Sequence, residues 1–149
     1  MSEELMPVAK WEIYALPWAI DGVEGVEFVH LCWLTQDGSP VVCGKIEMVF
    51  RFEELEVALA RLFVREELRR QGIASELVLA CANEVRRVDP RYSTMNLSVN
   101  ARNTEAITAY GTMGFIFDDE EAARRKLHLS QRMMVAEIKD VIELLERGC

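Results

Sequence analysis

Midway along the chain the hydrophobic pattern changes its period, and the change falls at a glycine. From Val57 to Val64 the residues are mostly apolar, as in a strand buried on both faces. From Gly72 to Val88 the apolar residues instead recur every four positions, at Ile73, Leu77, Cys81 and Val85, while Ala74, Val78 and Ala82 widen the stripe. That is the spacing of an amphipathic helix with one buried face. Asp89-Pro90 ends it, because the residue before a proline is pushed out of the helical region. The pattern predicts a strand near the middle of a sheet that feeds directly into a long helix.

The flanking segments extend this reading. Ahead of it, Trp11 to Ile20 (broken by Pro17), Val26 to Thr35 and Val41 to Phe52 are rich in β-branched and aromatic residues and read as strands. Gln36-Asp37-Gly38-Ser39 is a hairpin turn signal, since Asp-Gly supplies positive φ. Beyond the long helix, Met95, Leu97 and Val99 alternate with Asn96 and Ser98 as in a half-buried strand. Asn103 is a good N-cap for a second helix carrying Ala106, Ile107, Tyr110 and Met113, with Gly114 as its terminator. The charged run Asp118 to Lys126 reads as a solvated connection, and Arg132 to Glu137 as a last strand. Ile138, Val141, Ile142 and Leu145 mark a closing helix ended by Gly148, which either caps the core or pairs with a twin in a homodimer. With no repeat and four scattered prolines, residues 1–149 read as one α/β (α+β) domain on a mixed sheet.

Composition narrows the partners. Half of the 149 residues are hydrophobic and 28% are charged, enough apolar surface for one core. Seventeen Lys and Arg against twenty-five Asp and Glu give a formal charge of −8, which repels nucleic acid and anionic membranes and attracts cations such as amines. The gaps between Cys32, Cys43, Cys81 and Cys149 match no metal or disulfide pattern, so they read as reduced thiols of a cytoplasmic protein. No apolar run spans a bilayer, and the acidic start, Met-Ser-Glu-Glu, is unlike a basic targeting sequence. With two histidines, His30 and His128, and no HExxH, no metal site is expected.

The chemistry concentrates where the period changes. Between the strand and the helix run Arg65, Arg69, Arg70 and Gln71, and the helix opens with Gly72, Ile73, Ala74 and Ser75. Unpaired amides and the positive end of the helix dipole converge there with no bulky side chain over them. A pyrophosphate would fit on the amides of Arg70 to Ser75, with Arg69 and Arg70 adding charge. The alternative is a solvated basic loop in which the glycine serves only close packing. GxxxxGK[ST] and GxGxxG are both absent, which removes the P-loop and dinucleotide-fold readings.

Two segments, taken together, resemble the GNAT superfamily of acyl-CoA-dependent N-acyltransferases. Leu62 to Ala74 is similar to its LxVxPExRxxGxG/A loop, and Asn103 to Phe115 to its NxxAxxxYxxxGF helix, in the right order and at a suitable separation. The resemblance implies a mostly antiparallel mixed sheet with a central pair of splayed parallel strands and helices on both faces. It implies acetyl-CoA as cofactor, its pantetheine arm pairing with Leu62, Phe63 and Val64 and its diphosphate held by residues 69–75. A backbone N–H near Leu62 or Phe63 would face the thioester carbonyl, where negative charge develops. Asn103 and Tyr110 would border the cofactor, and the Tyr110 phenol would give its proton to the departing thiolate. At helical spacing with Ala106 and Met113, a core tyrosine is the competing reading.

An alkyl ammonium, with a reference pKa of about 10.4, must lose a proton before it attacks. Some relatives place a glutamate where this chain has Ala58. Glu56, on the same face by the period of two, is the candidate proton acceptor, Glu47 is the reserve, and a solvated carboxylate is the plain alternative for each. Glu66 replaces the loop's usual proline, and only Ala19 to Gly25 separates the first two strands, where the family usually places two helices. The acceptor side would then be unusually open or completed by another subunit. Three functions follow: an N-acetyltransferase acting on a protein or small-molecule amine, a non-catalytic acyl-CoA-binding sensor or regulatory module, or an interaction domain without cofactor.

Overall fold

The β-branched and aromatic residues of the first part of the chain build three long antiparallel strands, β1 (Lys10–Ile20), β2 (Val23–Gln36) and β3 (Ser39–Arg51). The computed structural model describes residues 10–20, 23–36, 39–51, 53–66, 69 and 72–147, with the backbone alone before residue 44. β1 pairs with β2 from Lys10 opposite Trp33 to Ile20 opposite Val23, so no helix lies between them. β2 and β3 pair as far as Gln36 opposite Ser39; the expected turn residues Asp37 and Gly38 lie outside the described residues. Pro17 does not break β1, where it sits opposite Val26. This strand forms one edge of the sheet, a place that tolerates a residue without an N–H.

β4 (Glu56–Val64) pairs antiparallel with β3, and α1 (Ile73–Val88) then returns the chain to β5 (Thr94–Asn100), parallel to β4. There follow α2 (Thr104–Thr112), β6 (Ile116–Phe117), α3 (Asp119–Arg124), β7 (Gln131–Glu137) and α4 (Ile138–Arg147). The sheet order is β1-β2-β3-β4-β5-β7-β6, antiparallel except at β4–β5. The expected mixed, mostly antiparallel sheet is therefore present.

The parallel pair is short. Glu56, Val57 and Ala58 pair with Thr94, Met95 and Asn96, and no rung follows, although both strands continue. β5 stays paired on its other side with β7 along its whole length, from Thr94 opposite Glu137 to Asn100 opposite Gln131. β4 bends instead. Lys45 pairs with Phe63 but Glu47 with Ala60, so one residue of β3, Ile46, stands against two of β4, Arg61 and Leu62. This is a β-bulge, and Arg61 sits in it at φ +52°. β4 is accordingly not buried on both faces as its apolar run suggests. Only Val57 and Leu59 are buried, while residues 60–64 are half-buried or exposed because β5 has left their side.

The core lies where α1 covers the sheet. Leu77, Val78, Cys81, Ala82 and Val85 are fully buried in one cluster with Ile46, Met48, Val57 and Met95, each larger apolar side chain contributing about 1.5–3 kcal/mol. α4 adds Ile138, Val141 and Ile142 to the same cluster and packs on α1, so it caps the core. The charged run after β6 is helical rather than a plain connection. Asp118 Oδ1 accepts a hydrogen bond from the Glu121 amide at 3.0 Å, and three acidic residues lie in the first turn of α3, where its dipole favours them. Among the described residues no helix is long and apolar enough to cross a membrane.

Candidate active site

Gly72 begins the site. Its φ of +81° is left-handed, a conformation glycine adopts without strain, and the turn lets α1 start close behind the loop that follows β4. Among the described residues no side chain caps α1, which leaves the amides of its first turn their hydrogen-bonding capacity and the dipole's positive end. Among the described residues, a Cβ at residue 72 would meet nothing within 4 Å.

Two contacts fix the loop and helix against β4. Arg69 Nε donates to the Val64 carbonyl at 3.2 Å, while the arginine itself is exposed. On the other side, a Cβ at Gly44 would lie 2.9 Å from the Phe63 carbonyl oxygen and 3.1 Å from Leu77 Cδ1. Residue 44 must therefore lack a side chain for α1 to lie this close to the bulged end of β4.

α2 forms the opposite wall. Asn100 Oδ1 accepts from the Arg102 amide at 2.9 Å, and Asn103 Oδ1 accepts from the Ala106 amide at 3.1 Å, so the helix begins immediately after β5. It ends in a paired closure in which the Phe115 amide donates to the Tyr110 carbonyl and the Gly114 amide to that of Gly111, both at 3.1 Å. Ala106, Ala109, Tyr110 and Met113 recur at helical spacing and face a cavity between α2, β4 and α1.

That cavity has a volume of about 700 Å³, within the size range of small-molecule sites. Its walls bring together Leu62, Phe63 and Val64 of β4, Arg69, the turn from Gly72 through Ile73 and Ala74 to Ser75, and Asn103 and Tyr110 of α2. These are the described residues expected to touch the cofactor; Arg70 and Gln71 lie outside the described residues. A second cavity of about 320 Å³ runs into the gap between β4 and β5 and shares Leu62, Asn103, Ala106 and Tyr110 with the first.

Tyr110 borders both cavities. Burial raises its phenol pKa above the ordinary value near 10, so the hydroxyl keeps its proton at neutral pH. Its ring packs edge-on against Phe115 with centroids 5.9 Å apart, and among the described residues its hydroxyl forms no hydrogen bond.

Glu56 is placed differently from the other site candidates. It lies at the paired end of β4, opposite Thr94, and outside the walls of both cavities. Arg125, the residue that ends α3, forms an ion pair with its carboxylate and also lies 3.7 Å from Glu121. The structure therefore does not bring Glu56 and Tyr110 together. Glu47 is 6% exposed, pairs with Ala60 across the sheet, and accepts from Arg61 Nη1 at 2.8 Å. Ala60 and Arg61 both border the smaller cavity. Ser98 and Asn100 also border that cavity, and no pattern in the sequence points to them or to Arg61. Nothing in the sequence marks a bulge at an arginine, and the two β5 residues look like the solvent face of an ordinary strand.

The fold and the site together define an α/β domain with a cavity at the point where two parallel strands part and a helix begins. The sequence model of the acetyltransferase (GNAT) domain matches residues 27–136, and the chain belongs to that family. Among solved structures it is similar to PaiA N-acetyltransferase from Thermoplasma acidophilum in complex with coenzyme A, at 18% identity and a TM-score of 0.57, covering 73% of this chain and 60% of that one. It is similar to nourseothricin acetyltransferase at 20% identity and a TM-score of 0.60, with 75% and 65% covered. Mutant forms of the spermidine/spermine N-acetyltransferase SpeG from Vibrio cholerae give 14% and 0.58, with 83% and 69% covered. The chain thus spans less than two thirds of the length of the first two. No curated protein sequence matches it.

Proposed function

We propose that this chain is an N-acetyltransferase that moves an acetyl group from acetyl-CoA to a primary amine by direct attack. The observation that supports this best is the convergence, on one cavity, of the β4 edge left by β5, the uncapped start of α1 and the Tyr110 phenol. When bound, acetyl-CoA supplies the thioester and its acyl group. The amides of residues 73–75 and the Arg69 guanidinium would hold its diphosphate. The backbone of Leu62, Phe63 and Val64 would pair with its amide-bearing arm. A main-chain N–H at Leu62 or Phe63, beside the bulge, would donate to the carbonyl oxygen as negative charge develops on it. Tyr110 holds the proton that the departing sulfur takes.

The amine's proton needs an acceptor. Each carboxylate is engaged by an arginine, Glu47 by Arg61 and Glu56 by Arg125, and Glu47 is the better placed only because it stands across from Ala60 of the smaller cavity while Glu56 lies at the closed end of the strand pair. The formal charge of −8 favours a cationic acceptor, either a small polyamine, as the name of the similar SpeG suggests, or a protein lysine or N-terminus. Ala58, in the position where some relatives carry a glutamate, favours a second reading, a module that binds acyl-CoA without turnover.

A thermal-shift titration with acetyl-CoA followed by a free-thiol assay against spermidine and lysine peptides tests both readings. A rise in melting temperature with thiol release on adding amine is expected. Binding without thiol release would leave the sensor, and no rise would contradict both.

A further inference from the structure

We infer that the acyl group this site takes is not limited to acetyl: the smaller cavity receives linear saturated acyl chains of the butyryl to hexanoyl class. The inference rests on the cofactor reading above and concerns what lies beyond the thioester. The two cavities share Leu62 and Tyr110, the residues that would flank the carbonyl and the sulfur. An acyl group joined there extends into the second cavity. Its volume of about 320 Å³ is roughly ten times the ~30 Å³ share of a water molecule in the liquid, and the three heavy atoms of an acetyl group fill little of it.

The cavity's chemistry is divided. Ile46, Leu59, Leu97 and Val99 are 1%, 7%, 4% and 6% exposed and form a buried apolar floor. Ser98 and Asn100, both exposed, form a polar rim. A methylene chain over that floor leaves water for an apolar surface, while the amine would approach over the rim. The guanidinium of Arg61 is engaged by Glu47, so the cavity suits an alkyl chain rather than one ending in a carboxylate. The reaction itself is unchanged: the C–N bond forms and the C–S bond breaks, the amine's proton goes to a carboxylate or solvent, and the thiolate takes one. Acyl thioester and amine become amide and thiol.

The test is calorimetric binding and thiol release with coenzyme A and its acetyl, butyryl and hexanoyl thioesters, using the full chain. Burial of two further methylenes predicts butyryl-CoA binding about tenfold tighter than acetyl-CoA, with thiol release from both. A ratio of twofold or less would overturn the inference while leaving the acetyltransferase reading intact. Failure of coenzyme A and every thioester to bind would remove that reading and this one with it. Ala60→Leu and Ser98→Leu, which fill the cavity from β4 and from β5, should each lower the butyryl-to-acetyl ratio at least fivefold. An unchanged ratio in whichever variant keeps the wild-type melting temperature would place the chain elsewhere and refute the proposal.

Discussion

Ala58 pairs with Asn96 on the last rung that β4 and β5 share. Every described residue expected to contact the cofactor lies beyond that rung, on strands that have parted or on the helices that flank the gap. Asn96 is 2% exposed and its Nδ2 finds no partner among the described residues, so the vertex of the gap is polar beside the small Ala58. The geometry of the opening follows from two departures from regular pairing, the loss of β5 on one side of β4 and the bulge at Arg61 on the other.

Tyr110→Phe removes the proposed proton donor while keeping the ring that packs on Phe115. Steady-state kinetics should show kcat reduced at least tenfold, toward the ~10²–10⁴ range of general acid catalysis, with the coenzyme A Kd changed less than threefold. Equal losses in both would assign the residue to packing. Because burial raises the phenol pKa, the folded state favours the neutral form. Its contribution to activity and stability is whole below about pH 10 and is lost as pH rises through the folded-state value. A wild-type alkaline limb that starts below pH 9 and disappears in Tyr110→Phe would contradict this.

Gly72→Ala forces a side chain into a left-handed conformation at φ +81°, which costs about 1–2 kcal/mol. A Cβ there meets none of the described residues within 4 Å, so the packing of α1 should survive, and urea denaturation should show that loss and no more. Gly72→Val extends further into the space proposed for the diphosphate and should weaken coenzyme A binding more than tenfold by calorimetry. Retained affinity would remove the cradle.

Asn103→Ala deletes the cap on α2 and should cost about 1 kcal/mol in the same denaturation experiment, with Asn103→Ser recovering most of it. No loss would mean that the hydrogen bond to Ala106 contributes nothing net.

The sequence carries these elements unevenly. α1 and the cap of α2 are legible because their signals are local: apolar residues every four positions, Asp89-Pro90 as a stop, and Asn103 three residues before Ala106. The strand pairing of the first three strands follows from β-branched and aromatic runs, and Pro17 misleads only because the edge position of β1 is a tertiary fact. The bulge is not legible, since Arg61 takes a conformation its residue type seldom adopts. Nor is the fate of Glu56, which is decided by Arg125, 69 residues away. The helix after β6 did have a signal, Asp118 followed at three residues by Glu121, the spacing of a capping pair, within a run whose charge suggests only solvation.

Crystals of the chain grown with coenzyme A test the central claim most directly. Electron density should show the diphosphate on the amides of residues 73–75 beside Arg69, and the pantetheine arm hydrogen-bonded along residues 62–64 with its sulfur near the Tyr110 hydroxyl. A closed seam between β4 and β5, or coenzyme bound only outside the gap, would contradict the account.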